Sequence, residues 1–227
     1  MIVPPSTYLV EDRVSCNPPC VGVSHPVFAR LYTRQAPKLD QHGFADYRKR
    51  LLDGLSGRVI EVGAGAGANF PYYPAEVESI LAVEPEPYLR NLALQAATPQ
   101  IEVVDGVAER LPAGDEQFDA AVVSLALCSV KDLDKSLAEM HRVLKPGGRL
   151  RLLEHVRATS PSMVRVQRVL DATVWPLFVG GCHTGRDTVA AAERAGFQMD
   201  EVERFIFPVT QVPLPAGPHV LVHATRT

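Results

Sequence analysis

Short apolar runs alternate with amphipathic stretches through most of the chain. Five of the runs have the length of β-strands and are rich in branched side chains: RVIEV, SILAV, IEVV, DAAVVSLAL and RLRLLEHV. The fourth has no polar alternation, which is typical of a strand buried on both faces. Helical patterns separate several runs, and two of these helices have start signals in Pro87 and Asp132. This order predicts right-handed βαβ crossovers and a mostly parallel sheet.

The two ends of the chain have different patterns. After a helix predicted around RDTVAAAERAGF, the segments DEVERFIFPV and HVLVHAT follow with no helical pattern between them, which predicts an antiparallel pair of strands. The predicted fold class is therefore α/β, a doubly wound, Rossmann-like sheet of seven strands, mostly parallel, with an antiparallel C-terminal edge strand. Residues 25–227 are predicted to form one domain that begins with a helical cap region, residues 25–56, and residues 1–24 a Pro-rich arm.

Composition and charge exclude several classes of function. The chain has 227 residues, 46% of them hydrophobic, which is enough for one domain with a full core. Its formal net charge is -3 with both signs interspersed, so we expect no nucleic-acid partner. The apolar runs are far shorter than the ~20 residues of a membrane span, and the N-terminus lacks a signal-peptide pattern. We therefore expect no stable membrane anchor and a cytoplasmic location, where the four cysteines stay reduced.

A glycine-rich loop follows the first predicted strand. Gly63, Gly65 and Gly67 stand at alternate positions directly after Val62. Ligands of an open α/β sheet bind beyond the carboxyl ends of the strands, and glycine lets a ligand approach the backbone closely. The loop fits the dinucleotide pattern G-x-G-x-x-G/A, with Ala68 in the last place, and it equally fits E-x-G-x-G-x-G. The loop alone does not choose between a dinucleotide and a smaller ligand.

Three further features bear on that choice. Glu84 ends the second predicted strand, where a carboxylate can accept hydrogen bonds from both hydroxyls of a ribose, so it indicates a nucleoside of either kind. Pro74 limits any helix after the loop to a short one, whereas a dinucleotide pyrophosphate prefers a full helix N-terminus. The chain also ends after one βα domain, and a dehydrogenase normally needs another domain for its substrate. Together these features favour the smaller ligand.

At this point the sequence resembles a known family. Its motifs stand in the order found in class I S-adenosylmethionine-dependent methyltransferases: EVGAGAG, the acidic Glu84, AERLP, FDAAVVSLAL and RVLKPGGRL. The segments GANFPYYP, LALCSVKD and GCHTGRDTVAAAERAGF further resemble the methyltransferase-like thiol S-methyltransferases of animals and their bacterial relatives. The resemblance implies an enzyme that uses S-adenosyl-L-methionine, releases S-adenosyl-L-homocysteine and methylates the thiol of a small, fairly apolar molecule.

The resemblance also implies roles for individual residues. The glycines would pass the methionyl part of the cofactor, and Glu84 would hold the ribose. Val107 stands where the family usually has an aspartate, so backbone groups would have to meet the adenine there. Leu125, after the fourth strand, would line the methyl-transfer channel. The complete predicted cofactor set is Glu61, Gly63, Ala64, Gly65, Gly67, Asn69, Glu84, Pro85, Gly106, Val107, Ala108 and Leu125.

The acceptor chemistry has its own requirements. A methyltransferase mainly holds the nucleophile beside the methyl group and excludes water, and it needs no metal. A thiol with an ordinary pKa of about 8.5 is only slightly ionised at pH 7, so a nearby base or cation would help. Four candidates for the acceptor site follow in order of preference: His155 after the fifth strand, His183 in a Gly-rich segment, and His25 and Tyr32 in the N-terminal region. His155 could instead be a loop histidine bonded to a backbone carbonyl.

Several alternatives remain open at the level of sequence. Cys16 and Cys20 could be drawn as a zinc site with His25 and either Cys182 or His183, but their spacing is not that of a zinc knuckle, so we predict no metal. The segment WPLFVGG is predicted to be core or the wall of an apolar acceptor pocket. The other functions considered are N- or C-methylation of a lipid, quinone or natural product, an NAD-dependent oxidoreductase, and a non-catalytic cofactor-binding partner protein. The predicted partner is a small-molecule methyl acceptor, and the predicted assembly a monomer or homodimer.

Overall fold

The computed structural model describes residues 25–227, and the predicted N-terminal arm lies outside them. Within that range one sheet contains seven strands: β1 (Gly57–Val62), β2 (Val77–Val83), β3 (Ile101–Val104), β4 (Phe118–Ser124), β5 (Leu144–His155), β6 (Phe197–Ile206) and β7 (Pro218–Arg226). Their spatial order is β3-β2-β1-β4-β5-β7-β6. Strands β1 to β5 pair in parallel, and the pairs of β7 with β5 and with β6 are antiparallel. The predicted fold class is confirmed.

The last two strands form the predicted antiparallel pair at the end of the sheet. β7 pairs with β5 from Arg149 to His155, and β6 adds on its other side. The antiparallel strand β7 therefore lies one place inside the edge, and β6 is outermost. This arrangement covers the long edge of β5, which carries one of the predicted catalytic histidines at its end.

Helices cover the sheet and begin where the sequence signals indicate. They are α1 (Pro26–Leu39), α2 (Ala45–Leu52), α3 (Pro87–Ala96), α4 (Leu133–Val143), α5 (Pro161–Asp171), α6 (Trp175–Phe178) and α7 (Thr188–Arg194), with a π-helical turn at Asp40–Phe44 and a 3₁₀ turn at Phe70–Tyr72. Asp132 caps α4 by accepting a hydrogen bond from the Lys135 N–H, and Pro87 occupies the first turn of α3. The helical turn after the glycine loop is limited to three residues, as the prolines predict.

The core lies on both faces of the sheet. Along β4, Ala121 and Val123 pack on one side, with Leu137 and Met140 of α4, while Val122 packs on the other with Leu51 of α2. All these side chains are fully buried. The continuous apolar pattern of β4 thus has the cause predicted from it, burial on both faces. Truncating such a side chain to alanine typically costs about 2–5 kcal/mol.

Two local predictions are wrong, the start of the fifth strand and the place of WPLFVGG in the core; its alternative role as the wall of an acceptor pocket stays a prediction. The run RLRLLEHV does not contain the whole fifth strand, because β5 already begins at Leu144 and pairs with Phe118 before a register shift. The segment WPLFVGG forms the short helix α6, and its Leu177 and Phe178 side chains are 78% and 75% exposed. Their apolar character predicts burial, but a four-residue helix at the surface has no neighbouring layer to pack them against.

The strand order places a crevice where the glycine loop lies. β1 connects outward to β2 on one side and has β4 on the other, so the carboxyl end of β1 is the topological switch point of the sheet. The carboxyl ends of β4 and β5 lie at the same edge of the sheet. Among the helices of residues 25–227, none has the length and apolar character to cross a bilayer.

Candidate active site

The glycine loop, residues 63–67, has a different reason for each of its glycines. All three have positive φ values, +73° for Gly63, +59° for Gly65 and +82° for Gly67, a region that side chains rarely adopt. A Cβ at Gly63 would overlap Ala126, and one at Gly67 would lie 2.5 Å from the Phe70 ring. A Cβ at Gly65 would meet only Tyr32 Cε1, at 3.8 Å. Gly63 and Gly67 therefore serve packing, whereas Gly65 faces free space beside Tyr32.

Glu84 is a buried carboxylate placed against the glycine loop. It is 5% exposed at the end of β2. Its Oε2 accepts a hydrogen bond from the Gly65 N–H at 2.7 Å, and its Oε1 accepts one from the Glu86 N–H at 2.9 Å. Burial raises the pKa of Glu84, and these two N–H donors oppose that rise. Each oxygen keeps a lone pair for a further donor, which is what a pair of ribose hydroxyls requires.

Arg48 was not singled out from the sequence, yet it organises the floor of this region. Its side chain is 3% exposed, and Nε donates to Asp40 at 2.9 Å. Nη1 donates to Asn69 Oδ1 at 2.8 Å and to Ser124 Oγ at 3.2 Å. Burial alone would lower the pKa of Arg48, but Tyr32 and Asp40 raise it above its usual value, so the side chain remains a cation. The guanidinium thus ties α2 to the ends of β1 and β4.

Glu61 is a buried carboxylate beneath the glycine loop. The carboxylate is 2% exposed and accepts hydrogen bonds from Asn69 Nδ2 at 2.8 Å and from the Tyr73 hydroxyl at 2.9 Å. Asn69 therefore joins Arg48 to Glu61 through both ends of its amide. Burial raises the pKa of Glu61 to about 7 despite these donors. In this position Asn69 supports the loop, and its predicted contact with the cofactor stays a prediction.

The burial of Glu61 predicts a pH-dependent stability. An acid whose pKa is raised on folding, here from 4.5 to about 7, stabilises the protein below the lower value and loses that contribution as pH rises through the higher one. We expect wild type to lose up to about 1.4 kcal/mol per pH unit relative to Glu61→Gln across that window. Chemical denaturation at several pH values measures the difference. Glu78→Gln, which removes an exposed carboxylate, is the matched control for the loss of charge alone, and an equal pH profile for the two variants would contradict the prediction.

The segment around Val107, predicted to meet the adenine, follows β3, and Pro85 of the predicted cofactor set follows β2. Ala108 is 8% exposed and Val107 is half-buried, with a bridge between Val107 and Arg110. Gly106 has no room for a side chain, because a Cβ would lie 2.8 Å from Val83. The backbone on each side of Pro85 is fixed by Arg90, which donates to the carbonyls of Glu84 and Pro85. These residues form a rigid edge beside Glu84.

The loop after β4, residues 125–132, is anchored by a second buried carboxylate. Glu154 is fully buried, and it accepts hydrogen bonds from the N–H groups of Ala126 at 2.8 Å, Leu127 at 2.9 Å and Cys128 at 3.3 Å. Burial raises its pKa to about 7, against the effect of these donors. Leu125 has a positive φ of 56°, and its N–H donates to the Leu153 carbonyl. The loop is thus held in a strained, defined conformation beside the glycine loop.

The predicted catalytic residue His155 lies at the end of β5 among sulfur atoms. Its Nδ1 is 4.0 Å from Cys182 Sγ, and its ring centroid is 4.5 Å from that of His219. Cys128 and Cys182 are both buried free thiols. The Cys128 thiol and His155 together lower the pKa of Cys182, and the contact with Cys182 together with burial raises that of Cys128. Burial and the nearby His155 lower the pKa of His219 to about 3, so His219 is neutral.

The other three catalytic candidates lie in different surroundings. His183 has its Nδ1 2.8 Å from the Gly181 carbonyl, a contact within its own loop. His25 is exposed at the N-terminus of α1. Tyr32 lies over Gly65, and burial raises the pKa of its hydroxyl in spite of Arg48, so it stays protonated. Of the four candidates, His155 is the one placed beside the two thiols.

Helix α1 lies across both parts of the site. Tyr32 faces Gly65, and Phe28, which stacks on Tyr32 with ring centroids 5.9 Å apart, packs so closely on Gly180 that a Cβ there would lie 2.5 Å from it. Gly180 belongs to the α6–α7 loop, residues 179–187, which also carries Cys182. The loop is fixed in turn by the His183 N–H, which donates to the Cys128 carbonyl at 2.8 Å. Helix α1 therefore covers both the glycine loop and the loop that carries Cys182.

Comparison with known proteins shows the family to which the chain belongs. A family model described as methyltransferase domain matches residues 60–152. Thiol S-methyltransferase TMT1B of Mus musculus is 31% identical over 94% of this chain and 90% of its own length. Thiol S-methyltransferase TMT1A of Homo sapiens is 30% identical over 88% of this chain and 83% of its own length. The chain belongs to this family of S-adenosylmethionine-dependent methyltransferases.

Solved structures agree with this methyltransferase in fold. An S-adenosylmethionine-dependent methyltransferase from Thermotoga maritima has a TM-score of 0.67 at 22% identity and covers 88% of this chain and 97% of its own. One from Mesorhizobium loti has a TM-score of 0.63 at 21% identity, over 83% and 100% of the two chains. The predicted family and enzyme class are confirmed, and the oxidoreductase and non-catalytic alternatives are set aside.

The family implies S-adenosylmethionine as the cofactor, and the residues of the methyltransferase fit it. Gly65 presents bare backbone to the space beneath Tyr32. Glu84 offers unused lone pairs at the end of β2, next to that backbone. No basic side chain pairs with Glu84 through a hydrogen bond among the described residues, so its carboxylate is free for hydroxyl donors. A bare loop beside such a carboxylate suits an adenosine ribose with an attached methionyl chain.

Proposed function

We propose that this methyltransferase transfers the methyl group of S-adenosylmethionine to the thiol of a small, fairly apolar molecule. The observation that carries the proposal is the similarity, across most of both chains, to two proteins named as thiol S-methyltransferases. The cofactor supplies a methyl group bound to a positively charged sulfur, which any nucleophile of the right position can attack. The task of the protein is therefore to place the acceptor and to exclude water.

We place the cofactor against the buried groups at the carboxyl ends of β1 and β2. Gly65 lets the methionyl chain pass close to the backbone, and Glu84 accepts the ribose hydroxyls while the Gly65 and Glu86 N–H groups hold it in place. Backbone groups of Val107 and Ala108 meet the adenine. Arg48, Asn69 and Glu61 keep the loop in position from below. The position of Leu125, directly after β4, suits the channel through which the methyl group passes.

The acceptor half of the proposal uses the carboxyl ends of β4 and β5. The acceptor lies beneath α1, between Leu125 and the corner formed by His155 and Cys182, and Phe28 and Tyr32 cover it. A thiol must lose its proton before it attacks. We assign the acceptance of that proton to His155, which lies at this end of the site. Tyr32 keeps its proton and acts as a donor. His183 is occupied by the Gly181 carbonyl and His25 is exposed, so we rank both below His155.

A matched set of acceptors tests this function. We expect benzenethiol to be methylated at a rate well above the rate without enzyme, and phenol and aniline, which share its ring, to give at least about tenfold less product. Product formation is followed by mass spectrometry with cofactor labelled in the methyl group, at equal acceptor concentrations. A quinol and an ethanolamine lipid in the same assay represent C- and N-methylation. Faster methylation of any acceptor that lacks a thiol would contradict the proposal and identify the acceptor class instead.

A further inference from the structure

Three side chains from distant parts of the chain meet beside the proposed acceptor site. Cys128 comes from the loop after β4, His155 from the end of β5 and Cys182 from the α6–α7 loop. One donor atom of each lies within 4.8 Å of the other two. Cys182 Sγ is 4.0 Å from His155 Nδ1. The thiols are 2% and 3% exposed, and His155 is half-buried, so the cluster is enclosed except on the side of the histidine.

The donor set has the composition that zinc prefers. Zinc takes thiolate and imidazole ligands in tetrahedral geometry, with Zn–S bonds of about 2.3 Å and Zn–N bonds of about 2.0–2.1 Å. Ligand atoms in such a site lie about 3.5–3.8 Å from one another. The Cys182–His155 separation is 4.0 Å and no separation in the cluster exceeds 4.8 Å, so binding an ion needs contractions of roughly 1 Å or less, which side-chain rotation allows. Two thiolates would balance the charge of the ion, as burial demands.

The surroundings hold these groups in ligating positions. The Glu154 carboxylate fixes the backbone of residues 126–128, and the His183 N–H binds the Cys128 carbonyl. The Trp175 indole N–H is buried and faces the Cys182 sulfur. His219 donates from Nδ1 to the Gly217 carbonyl at 2.7 Å, which leaves its Nε2 as an acceptor beside the His155 ring. Metal ligands typically have outer partners of these kinds.

We propose that Cys128, His155 and Cys182 bind one zinc ion and leave its fourth position open to the thiol of the acceptor. Within the described residues, no further histidine, cysteine or carboxylate joins the cluster, and three protein ligands with one open position are the pattern of catalytic zinc sites. The second half of this proposal rests on the proposed function. With zinc bound, His155 is a ligand and no longer the proton acceptor, so a thiol that binds at the open position releases its proton to solvent and coordinates as a thiolate, because only the thiolate is a good ligand. The prediction of no metal was made from the spacing of Cys16 and Cys20, and Cys128, His155 and Cys182 have no motif spacing along the chain that would bring them together.

Metal binding by the full-length protein, in the absence of cofactor and acceptor, tests the first half. The protein is reduced, stripped with a chelator and titrated with Zn²⁺ against a chromophoric competitor, and with Co²⁺ as a spectroscopic probe. We expect one ion per chain, and a thiolate-to-cobalt charge-transfer band with the strong visible absorption of tetrahedral Co²⁺. Cys182→Ser and His155→Ala should each lower Zn²⁺ affinity at least about hundredfold. Circular dichroism and S-adenosylhomocysteine binding show whether each variant is folded.

A matched variant separates this cluster from the cysteines of the N-terminal arm. The double variant Cys16→Ser/Cys20→Ser should bind Zn²⁺ as wild type does. The proposal is overturned if this variant loses the ion while Cys182→Ser keeps it, or if the reduced wild type shows no tetrahedral cobalt spectrum. It is also overturned if the thiols of Cys128 and Cys182 form a disulfide that persists under the reducing conditions, since a disulfide cannot supply two thiolates.

The open position is tested on the cobalt-loaded protein. Benzenethiol should shift the charge-transfer band, because a third thiolate would join the coordination sphere, whereas phenol should leave it unchanged. An unchanged band with benzenethiol would show that the acceptor does not coordinate the metal, and the metal site itself would still stand. Failure of S-methylation in the acceptor assay is a separate result, because metal binding is measured without turnover.

Discussion

Gly65→Ala is expected to lower the affinity for S-adenosylhomocysteine about hundredfold while leaving the protein folded. Gly65 has a φ of +59°, and a Cβ there would touch only Tyr32, at 3.8 Å, so the protein itself has room for the methyl group. The cost to the fold is then the left-handed backbone conformation, about 1–2 kcal/mol. The cost to binding is larger, because the methyl group occupies the space assigned to the methionyl chain. Isothermal titration calorimetry and denaturant unfolding measure the two costs separately.

Two other glycines provide controls for this prediction. Gly147 has a φ of +74° with nothing within 4 Å of its Cβ position, so Gly147→Ala should cost similar stability and leave cofactor affinity unchanged. Gly63 has a φ of +73°, but its Cβ would overlap Ala126, so Gly63→Ala should destabilise the fold more than either. Wild-type affinity in Gly65→Ala would mean that the cofactor does not pass this residue.

Glu84→Ala is expected to weaken cofactor binding by about a hundredfold or more. The carboxylate would accept hydrogen bonds from both ribose hydroxyls, and hydrogen bonds to a charged group contribute about 1.5–3 kcal/mol each. The substitution also frees the Gly65 N–H, which now donates to Glu84 at 2.7 Å, so the loop loses its anchor as well as its ribose acceptor. Calorimetric titration with S-adenosylhomocysteine measures the effect.

Glu86 is the matched control for Glu84. It is 6% exposed and stands two residues away, but its carboxylate caps α3 by accepting a hydrogen bond from the Leu89 N–H at 2.8 Å. Glu86→Ala should therefore cost about 1 kcal/mol of stability, as the loss of a helix cap does, with no loss of cofactor affinity. Equal affinity losses for the two variants would show that the Glu84 effect is structural and that the ribose lies elsewhere.

The sheet was predictable because its signals are local. Apolar runs define β1 to β4, and the absence of polar alternation in β4 reflects helices packed on both faces. Asp132 and Pro87 mark helix starts by their own backbone chemistry. The exposed Leu177 and Phe178 were mispredicted, because hydrophobicity reports a preference for burial and not the presence of a neighbouring layer. The start of β5 was misplaced, because pairing with β4 extends the strand through residues that usually form a turn.

The candidate site was predictable where one segment supplies it. The glycine loop and Glu84 each follow a strand, so strand ends locate them. Arg48 lies on a helix, and its burial depends on partners such as Asn69 and Ser124 that are distant in sequence. Glu154 carried a readable signal, because a carboxylate inside the apolar run LRLLEHV is expected to be buried and paired. The meeting of His155 with the two cysteines depends on the packing of two loops against the end of β5 and has no local signature.

A crystal structure of the protein with S-adenosylhomocysteine would show directly whether Glu84 and the glycine loop bind the cofactor. We expect the ribose hydroxyls within hydrogen-bonding distance of the Glu84 carboxylate, the methionyl chain against Gly65, and the sulfur directed toward Leu125 and the ends of β4 and β5. A nucleoside bound away from Glu84, or a sulfur directed away from the corner formed by His155 and Cys182, would contradict it.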